Sequence, residues 1–524
     1  MSDIAITFAV IAALVALFVW GRLPVEVVAI GAALALWATG VITLQQALAG
    51  FGDQVIIFIA TLFVVSEALD STGVTAWAGQ QLIDRAGASR TRLLVLMVLI
   101  VAVLTAFVTV NASVAALLPV VVVTATRLGI SPSKLLIPLC FGAHAGSQLA
   151  LTGSNVNLLV SDALVEYEGV AFGFFEWALI GVPLVLGTLV VMVLLSDRLL
   201  PVRTPETISP DLSRHARTLV DQYGLGSGAV AEAIAFNREV GLAEVVIPPR
   251  SPFIGERIFK GMTTATGDLV VAAVQRKGED LGEKATDLAA GDVLLLQGTW
   301  QALDVKASDP GVLVVDHPEL VRRQAVPLGQ RALEALAVLA GMVALLVTGI
   351  VPPAVAGLLA AGALIILRVV TIERAYRSIT WTTVVLVAAM LPLSTAMFES
   401  GAADLVAERI IDVVGGLGPY GLLAGLFVVT AVFGQLISNT ATALIMIPIG
   451  VAAAGELGVD VRPVLMSIGV AAAAALLTPV ATPVNLIAMG AAGYRFGDYW
   501  RLGIVVMAVF FVVSVFVVPV FWQF

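Results

Sequence analysis

The five residues Gly153-Ser154-Asn155-Val156-Asn157 return 328 positions later as Ala481-Thr482-Pro483-Val484-Asn485. Each stretch is a polar break inside an apolar run, built from residues that cap or interrupt helices rather than continue them. In the first copy the flanking pieces, 134–151 and the short apolar stretch to Val160, do not span a bilayer comfortably alone. The spacing predicts a helix broken by an unwound loop, built twice.

Working outward from that pair, the whole chain repeats at the same offset. Gly21 and Pro24 meet Gly349 and Pro352, Gly73 meets Gly401, and Asn111 meets Asn439. A one-residue slip after the asparagines aligns Pro119 with Pro448 and Leu128-Gly129 with Leu457-Gly458. The repeat covers 1–196 and 329–524. In the first half, apolar runs at 4–20, 24–40 and 54–70 are followed by Leu93 to Thr126, which is interrupted by Thr109, Asn111 and Ser113. That run reads as two full spans or as a re-entrant hairpin with its tip at Asn111. The broken helix and a last span at 174–196 follow. The parity is odd, five crossings per half, so the two copies are expected upside down to one another in a bilayer.

Composition agrees. Of 524 residues 59% are hydrophobic and 12% charged, against about 25% charged in soluble proteins. An ordinary globular enzyme is excluded, because so few polar groups cannot cover a wetted surface. The charge is uneven: residues 198–328 hold 14 Lys/Arg and 17 Asp/Glu, 31 of 131 positions, while the other 393 hold 34. This sets three expected domains, a membrane repeat over 1–197, a soluble insert over 198–328 and a second membrane repeat over 329–524. A net charge of −9 argues against a nucleic-acid partner, and a single cysteine, Cys140, allows no intrachain disulfide. The start of the chain lacks the basic opening of a signal peptide, so 4–20 is expected to stay as the first span. With the insert placed in the cytoplasm, twelve Lys/Arg fall in inner loops and two, Arg409 and Arg462, in outer ones. That asymmetry predicts a multi-pass plasma-membrane protein with both termini outside.

Irregular backbone at membrane depth is tolerated only where it is buried in protein or lines a wet cavity. Besides the two loops already quoted, Val110-Asn111-Ala112-Ser113 and Ser438-Asn439-Thr440-Ala441-Thr442 are such places. Unwound carbonyls with Asn and Thr oxygens suit a small hard cation, and half-helix N-termini suit an anion. Of the ionisable groups near the spans, Glu67 and Asp70 close the third span near its inner end, Glu399 ends a span at the outer side, and His144 lies mid-run. His144 and Glu67 are kept as candidate coupling groups beside the plainer readings, a hydrogen-bonded structural histidine and a solvated helix end.

Ser438-Asn439-Thr440 followed by Pro448 resembles the hairpin tip of the divalent anion/sodium symporter family. Gly153-Ser154-X-X-Asn157 and Thr482-Pro483-X-Asn485 resemble its two broken-helix loops. The resemblance implies a secondary transporter of a small anion, dicarboxylate or sulfate, coupled to sodium and working by alternating access, with a homodimer as its assembly. It implies sodium at Asn111, Gly153 and Asn157 and again at Asn439, Thr482 and Asn485. It implies anion contacts from Asn111, Ser113, Ser154, Ser438, Asn439, Thr440, Thr482 and Pro483. The first hairpin departs from the pattern, reading Val110-Asn111-Ala112 where Ser-Asn-Thr is usual, and the first loop has Asn155 and Val156 where prolines are usual. With two hydroxyls fewer, a smaller anion such as sulfate gains weight. Proton-coupled and arsenite-type carriers share the architecture and stay open.

The insert is expected to begin with a linker helix over 205–239, helical through His215–Asn237, followed by an α+β domain over 240–317. Its strands are read at Glu244–Ile247, Leu269–Gln275, Val293–Gln297 and Val312–Val315, with a short helix and turn at Pro252–Gly261. Glu244-Val245-Val246-Ile247, Ser251-Pro252-Phe253-Ile254-Gly255 and Gly291-Asp292-Val293 resemble the C-terminal subdomain of RCK regulatory domains. That resemblance implies dimerisation and a small regulatory ligand; a plain spacer is the alternative, and a ligand-gated channel the competing function class. The potassium-filter sequence Thr-Val-Gly-Tyr-Gly is absent.

Overall fold

Thr43 and Thr371, 328 positions apart, each cap a short helix by accepting from the N–H three residues on, at Gln46 and Arg374. The computed structural model describes residues 2–203, 240–314 and 331–524, except 21, 76, 79–80, 82–84, 86–88, 129, 265–267, 277–278, 282–284, 308, 415–416 and 480. The linker helix expected over 205–239 and the end of the insert past Val314 lie outside the described residues. The chain divides into two compact units, Met1–Asp70 with Ala78–Ile208 and Leu333–Phe524, and Ser71–Trp77 with Ser209–Ala332.

The first unit is helical. Its first half runs α1 (Asp3–Trp20), α2 (Val25–Ala38), α3 (Leu44–Ala49), α4 (Gln54–Ser71), α5 (Arg90–Phe107), α6 (Val110–Arg127), α7 (Leu136–Gly146), α8 (Asn155–Glu168) and α9 (Ala178–Leu199). Eight segments of the described residues are long and apolar enough to cross a membrane. The outer surface agrees: on α9, Leu186, Val190 and Leu194 are 53%, 55% and 65% exposed at four-residue spacing, an apolar stripe suited to a lipid environment.

The second unit carries the insert sheet. Strands β1 (Val240–Val246), β2 (Arg257–Ile258), β3 (Leu269–Arg276), β4 (Glu279–Asp280), β5 (Thr286–Asp287), β6 (Val293–Thr299) and β7 (Leu313–Val314) are joined by α10 (Trp300–Ala307). The main sheet has the order β4-β3-β6-β1-β7, with β2 and β5 paired separately. Pro252–Gly261 is not a helix. It forms turns leading through β2, because Ser251 Oγ takes the Phe253 N–H and the backbone then pairs with β5. Among the described residues of this domain a helix lies instead at α10, where the sequence pattern predicts none. Asp292, after the positive-φ Gly291, receives a two-pronged contact from Arg276 (2.7 Å twice) and the Ala289 N–H. Burial works the other way, but those contacts hold its carboxyl below the usual range.

Beyond the insert the second half repeats the first. It runs α11 (Ala332–Thr348), α12 (Pro353–Ile366), α13 (Ile372–Ser378), α14 (Trp381–Glu399), α15 (Ala402–Val414), α16 (Gly418–Leu436), α17 (Asn439–Leu457), α18 (Val461–Ala473), α19 (Pro483–Ala492) and α20 (Trp500–Val512). The two halves interlock. α8 packs on α17 and α18, α19 packs on α6 and α7, and α14 packs on α2 and α3. α17 is buried through most of its length, whereas α1 buries only Thr7 and Leu14. The interior is therefore built from the hairpins and broken helices.

The second piece of the first broken helix does not stop at Val160; it runs to Glu168 and ends at Gly169 in the left-handed conformation. The slip in the repeat falls before the hairpin tips, not after the asparagines. α5 and α16 end at Phe107 and Leu436, and the next helices are capped by Thr109 (from Ala112 N, 3.4 Å) and Ser438 (from Ala441 N, 3.3 Å). Val110 has no oxygen to cap with, so the helix starts one residue earlier in the first half. Asn111 thus corresponds to Thr440, and Ser113 to Thr442.

Polar contacts between the halves cluster at helix ends. Arg374 pairs with Glu67 (2.9 Å), Arg462 with Glu168 (2.7 Å), and Gln46 Nε2 donates to Glu399 (2.5 Å). Arg203 makes a two-pronged contact with Asp498, 2.9 Å on each prong. Burial alone would raise the Asp498 carboxyl, but the Arg203 guanidinium and the Arg495 N–H bring it below the usual range. Stability from a lowered carboxyl is present above the unfolded value near pH 4 and is lost as pH falls through the folded one. Arg203→Gln is therefore expected to lower the melting temperature by a few degrees at pH 7. The difference from wild type should close on acidification below about pH 4; an unchanged gap in a pH series of melting curves would refute it.

Candidate functional site

Each broken helix is held open by one asparagine, in the same way in both halves. Asn157 Nδ2 donates to Ser147 O (2.9 Å) and Ala150 O (3.0 Å), ten and seven residues back. Asn485 Nδ2 donates to Ala475 O (2.9 Å) and Thr478 O (3.2 Å), again ten and seven back. Unwinding leaves carbonyls without helical partners, and in a membrane interior each must be matched. A fully buried side-chain amide matches two at once. Both asparagines are thus structural anchors of the breaks.

Close backbone approach finishes each loop. A Cβ at Gly181 of α9 would lie 2.2 Å from Gln148 O, and one at Gly503 of α20 would lie 2.2 Å from Leu476 O. Since 148 and 476 differ by the repeat offset, the last helix of each half presses on the same point of its broken helix. The hairpins are tied to the loops too. Thr152 Oγ1 donates to Ala106 O (2.9 Å), and Gln435 of α16 accepts from Leu477 N (2.9 Å) while donating to Ala474 O (3.0 Å).

The loops then meet across the halves. On α7, Ile137, Cys140 and His144 share one face. Ile137 N donates to Tyr494 Oη (3.3 Å), Cys140 Sγ lies 3.7 Å from Val484 O, and His144 Nε2 lies 3.4 Å from Thr482 Oγ1. Tyr499 Oη donates to Asn485 O (2.5 Å). The first-half broken helix is therefore the bed on which the second-half loop lies.

Asn157, Asn485, Gly153, Ser113 and Thr482 are buried. Ser154 is half-buried and caps α8 through the Val156 N–H (3.2 Å). Asn111, Ser438 and Pro483 are exposed, and Asn439 and Thr440 half-buried. Among the described residues, buried oxygens near the breaks without a hydrogen-bond partner include Ser113 Oγ, Thr442 Oγ1, Asn439 Oδ1 and Gln148 Oε1, while Asn485 faces His144. The first two are equivalent under the corrected register, one turn inside each hairpin helix. Buried polar atoms without partners are rare, and an ion or a water at the atom is one explanation. Glu67, paired with Arg374, closes a helix end; His144 lies between the halves at the second loop. The sequence reading missed Gln148, Gln435, Cys140 and Tyr499. The two glutamines were findable, since a lone amide in an apolar run must hydrogen-bond inside the protein.

Duplicated broken helices inside a lipid-faced bundle, with unmatched oxygens at the breaks, define a membrane transporter rather than an enzyme. The chain belongs to the citrate transporter family CitMHS, which it matches over residues 15–461 and 393–524. It is 31% identical to "Uncharacterized transporter YfbS" of Escherichia coli K12, over 98% of each chain. It is 25% identical to "Probable sodium/sulfate cotransporter 3" of Chlamydomonas reinhardtii, over 50% of this chain and 30% of that one. In fold it is similar to the YdaH transporter of Alcanivorax borkumensis, with a TM-score of 0.50 and 14% identity over 91% of this chain and 87% of that one.

Proposed function

We propose that this protein is a secondary active transporter of a small anion of the sulfate or dicarboxylate class, driven by sodium through alternating access. The observation that carries the reading is the pair of identically anchored loops, meeting across the halves beside buried oxygens that lack partners. Amide, hydroxyl and carbonyl oxygens with no carboxylate among them suit a monovalent hard cation. The helix N-termini at Asn155, Pro483, Val110 and Asn439 point partial positive charge at the breaks, where an anion adds the balancing charge. Relatives named as sodium/sulfate cotransporters support sodium and sulfate in particular.

The test is uptake of labelled sulfate or citrate into proteoliposomes, with and without an imposed sodium gradient. Saturable, sodium-dependent uptake is expected, and Asn439→Ala is expected to remove the sodium dependence. Retained dependence in that variant excludes Asn439 from the cation site, and currents far above carrier turnover would establish the channel alternative instead.

The same proposal places the protein in the plasma membrane with the repeats 1–197 and 329–524 inverted, the insert cytoplasmic and both termini outside. In its support, the ion pairs Arg374–Glu67 and Arg462–Glu168 and the Gln46–Glu399 contact between the halves each join groups that the loop-charge rule puts on one side, the first inside and the other two outside, and Arg203 of the insert pairs with Asp498 inside. A homodimer and a regulatory ligand for the RCK-like insert complete it. The insert sheet borders a cavity of about 610 Å³ lined by residues including Val245, Val271, Leu296 and Lys306, large enough for a small molecule.

A further inference from the structure

The turn that starts the first broken helix spends its side chains on the chain leaving α9. Ser133 Oγ donates to Pro201 O (3.0 Å) and accepts the Arg203 N–H (2.9 Å), while Ser131 Oγ donates to Arg203 O (2.8 Å). Lys134 Nζ reaches Asp197 O (2.8 Å) and Leu200 O (2.5 Å). Leu200–Arg203 is thereby held as a strap against the start of α7, and Ser133 is fully buried. The same strap holds the second broken helix. Arg203 grips Asp498, past the end of α19, and that carboxylate also accepts the Arg495 N–H (2.8 Å). The Tyr494 hydroxyl accepts the Ile137 N–H and donates to Ser133 O, so a residue of the second half serves α7, which has no side-chain cap of its own. By contrast α18, the first piece of the second broken helix, starts from its own cap, with Asp460 accepting the Arg462 N–H (2.8 Å). The strap lies where the chain turns from α9 into the insert.

We propose that Leu200–Arg203 is a coupling strap through which the insert acts on transport, because the insert's chain begins already fastened to both broken helices. The inference rests on the transporter reading above and adds a route of regulation to it. Alternating access has to move the broken helices, and with them the Ser131–Lys134 and Tyr494–Asp498 turns that the strap grips. A change in the insert that draws on Arg203 is passed directly to Asp498 of one broken helix and Ser133 of the other. A flexible tether at the same place would transmit little, since its ends move independently. Hydrogen bonds from both broken helices onto four consecutive residues are more than a tether needs. They make a contiguous physical link, and a double-mutant cycle measures whether such a link carries coupling.

The experiment is sodium-driven uptake of sulfate or citrate by the full-length chain in proteoliposomes, read as a double-mutant cycle with melting curves on the same samples. The insert is perturbed by Asp292→Asn, which weakens the two-pronged Arg276 contact, and the strap by Ser133→Ala or Arg203→Gln. Alone, Asp292→Asn is expected to change uptake per folded chain about fivefold or more, the size of ordinary coupling between sites. With either strap variant added, the same substitution is expected to change uptake less than about twofold. A strap that only stabilises the fold would lower the melting temperature and leave the insert's effect undiminished, and that result overturns the proposal. So does the absence of any effect on uptake from both Asp292→Asn and a second insert variant, Arg276→Gln. If one strap variant does not melt cooperatively, the other decides by the same criterion. No saturable uptake by wild type overturns the transporter reading itself, an outcome separate from a failed cycle.

Discussion

Asn485→Leu is expected to reduce sodium-driven anion uptake at least about a hundredfold, whereas Asn157→Leu is expected to leave sodium dependence in whatever protein survives folding. The leucine at 485 strips partners from Ala475 O and Thr478 O and removes the Oδ1 that faces His144 at the second loop. An unmatched buried carbonyl costs about 1–3 kcal/mol, and about 2.7 kcal/mol on a transport barrier is a hundredfold in rate. At 157 the structural loss is as large, with Ser147 O, Ala150 O and the Gln148 amide all left unmatched, so the folded yield should fall. Its Oδ1 is already satisfied by protein, so no ion contact goes with it. Uptake into proteoliposomes across a sodium series separates the two. Wild-type sodium-driven uptake by Asn485→Leu would remove the second loop from the transport site.

Gly503→Ala and Gly181→Ala are expected to cost about 3 kcal/mol each, the upper end for overpacking. The added methyl would sit 2.2 Å from a backbone carbonyl of the broken helix, Leu476 O or Gln148 O, and a carbonyl cannot swing aside as a flexible side chain can. Gly362→Ala on α12 is the control. Nothing lies within 4 Å of its Cβ position, and alanine favours the helix by about 1 kcal/mol. Melting curves in detergent should show the first two destabilised and the third unchanged or improved. Equal effects at all three positions would mean that the last helices do not press on the loops.

Much of the plan was legible in the residues because a bilayer allows few alternatives. Apolar runs of spanning length have to be helices, and a polar break within one has to be buried in protein or line a cavity. The duplicated loops, the hairpins and the soluble insert were read that way. Register at the hairpin tips was not, because matching asparagine to asparagine ignored which hydroxyl caps the helix; Thr109 and Ser438 decide it. The insert helix at Trp300–Ala307 was misplaced to Pro252–Gly261 because a proline followed by a glycine reads equally as a helix start or as a turn. Strand pairing with β5, a non-local contact, settled it.

The functional loops divide the same way. Sequence alone determined that Asn157 and Asn485 are equivalent and lie at helix breaks, since a fixed offset of 328 and a run of helix-breaking residues need no coordinates. Only the tertiary structure decided what their oxygens do. Asn157 Oδ1 faces the Gln148 amide, nine positions back in its own broken helix, whereas Asn485 faces His144 of the other half. Hydrogen bonds act over about 3 Å. That distance exists only once the chain has folded back on itself.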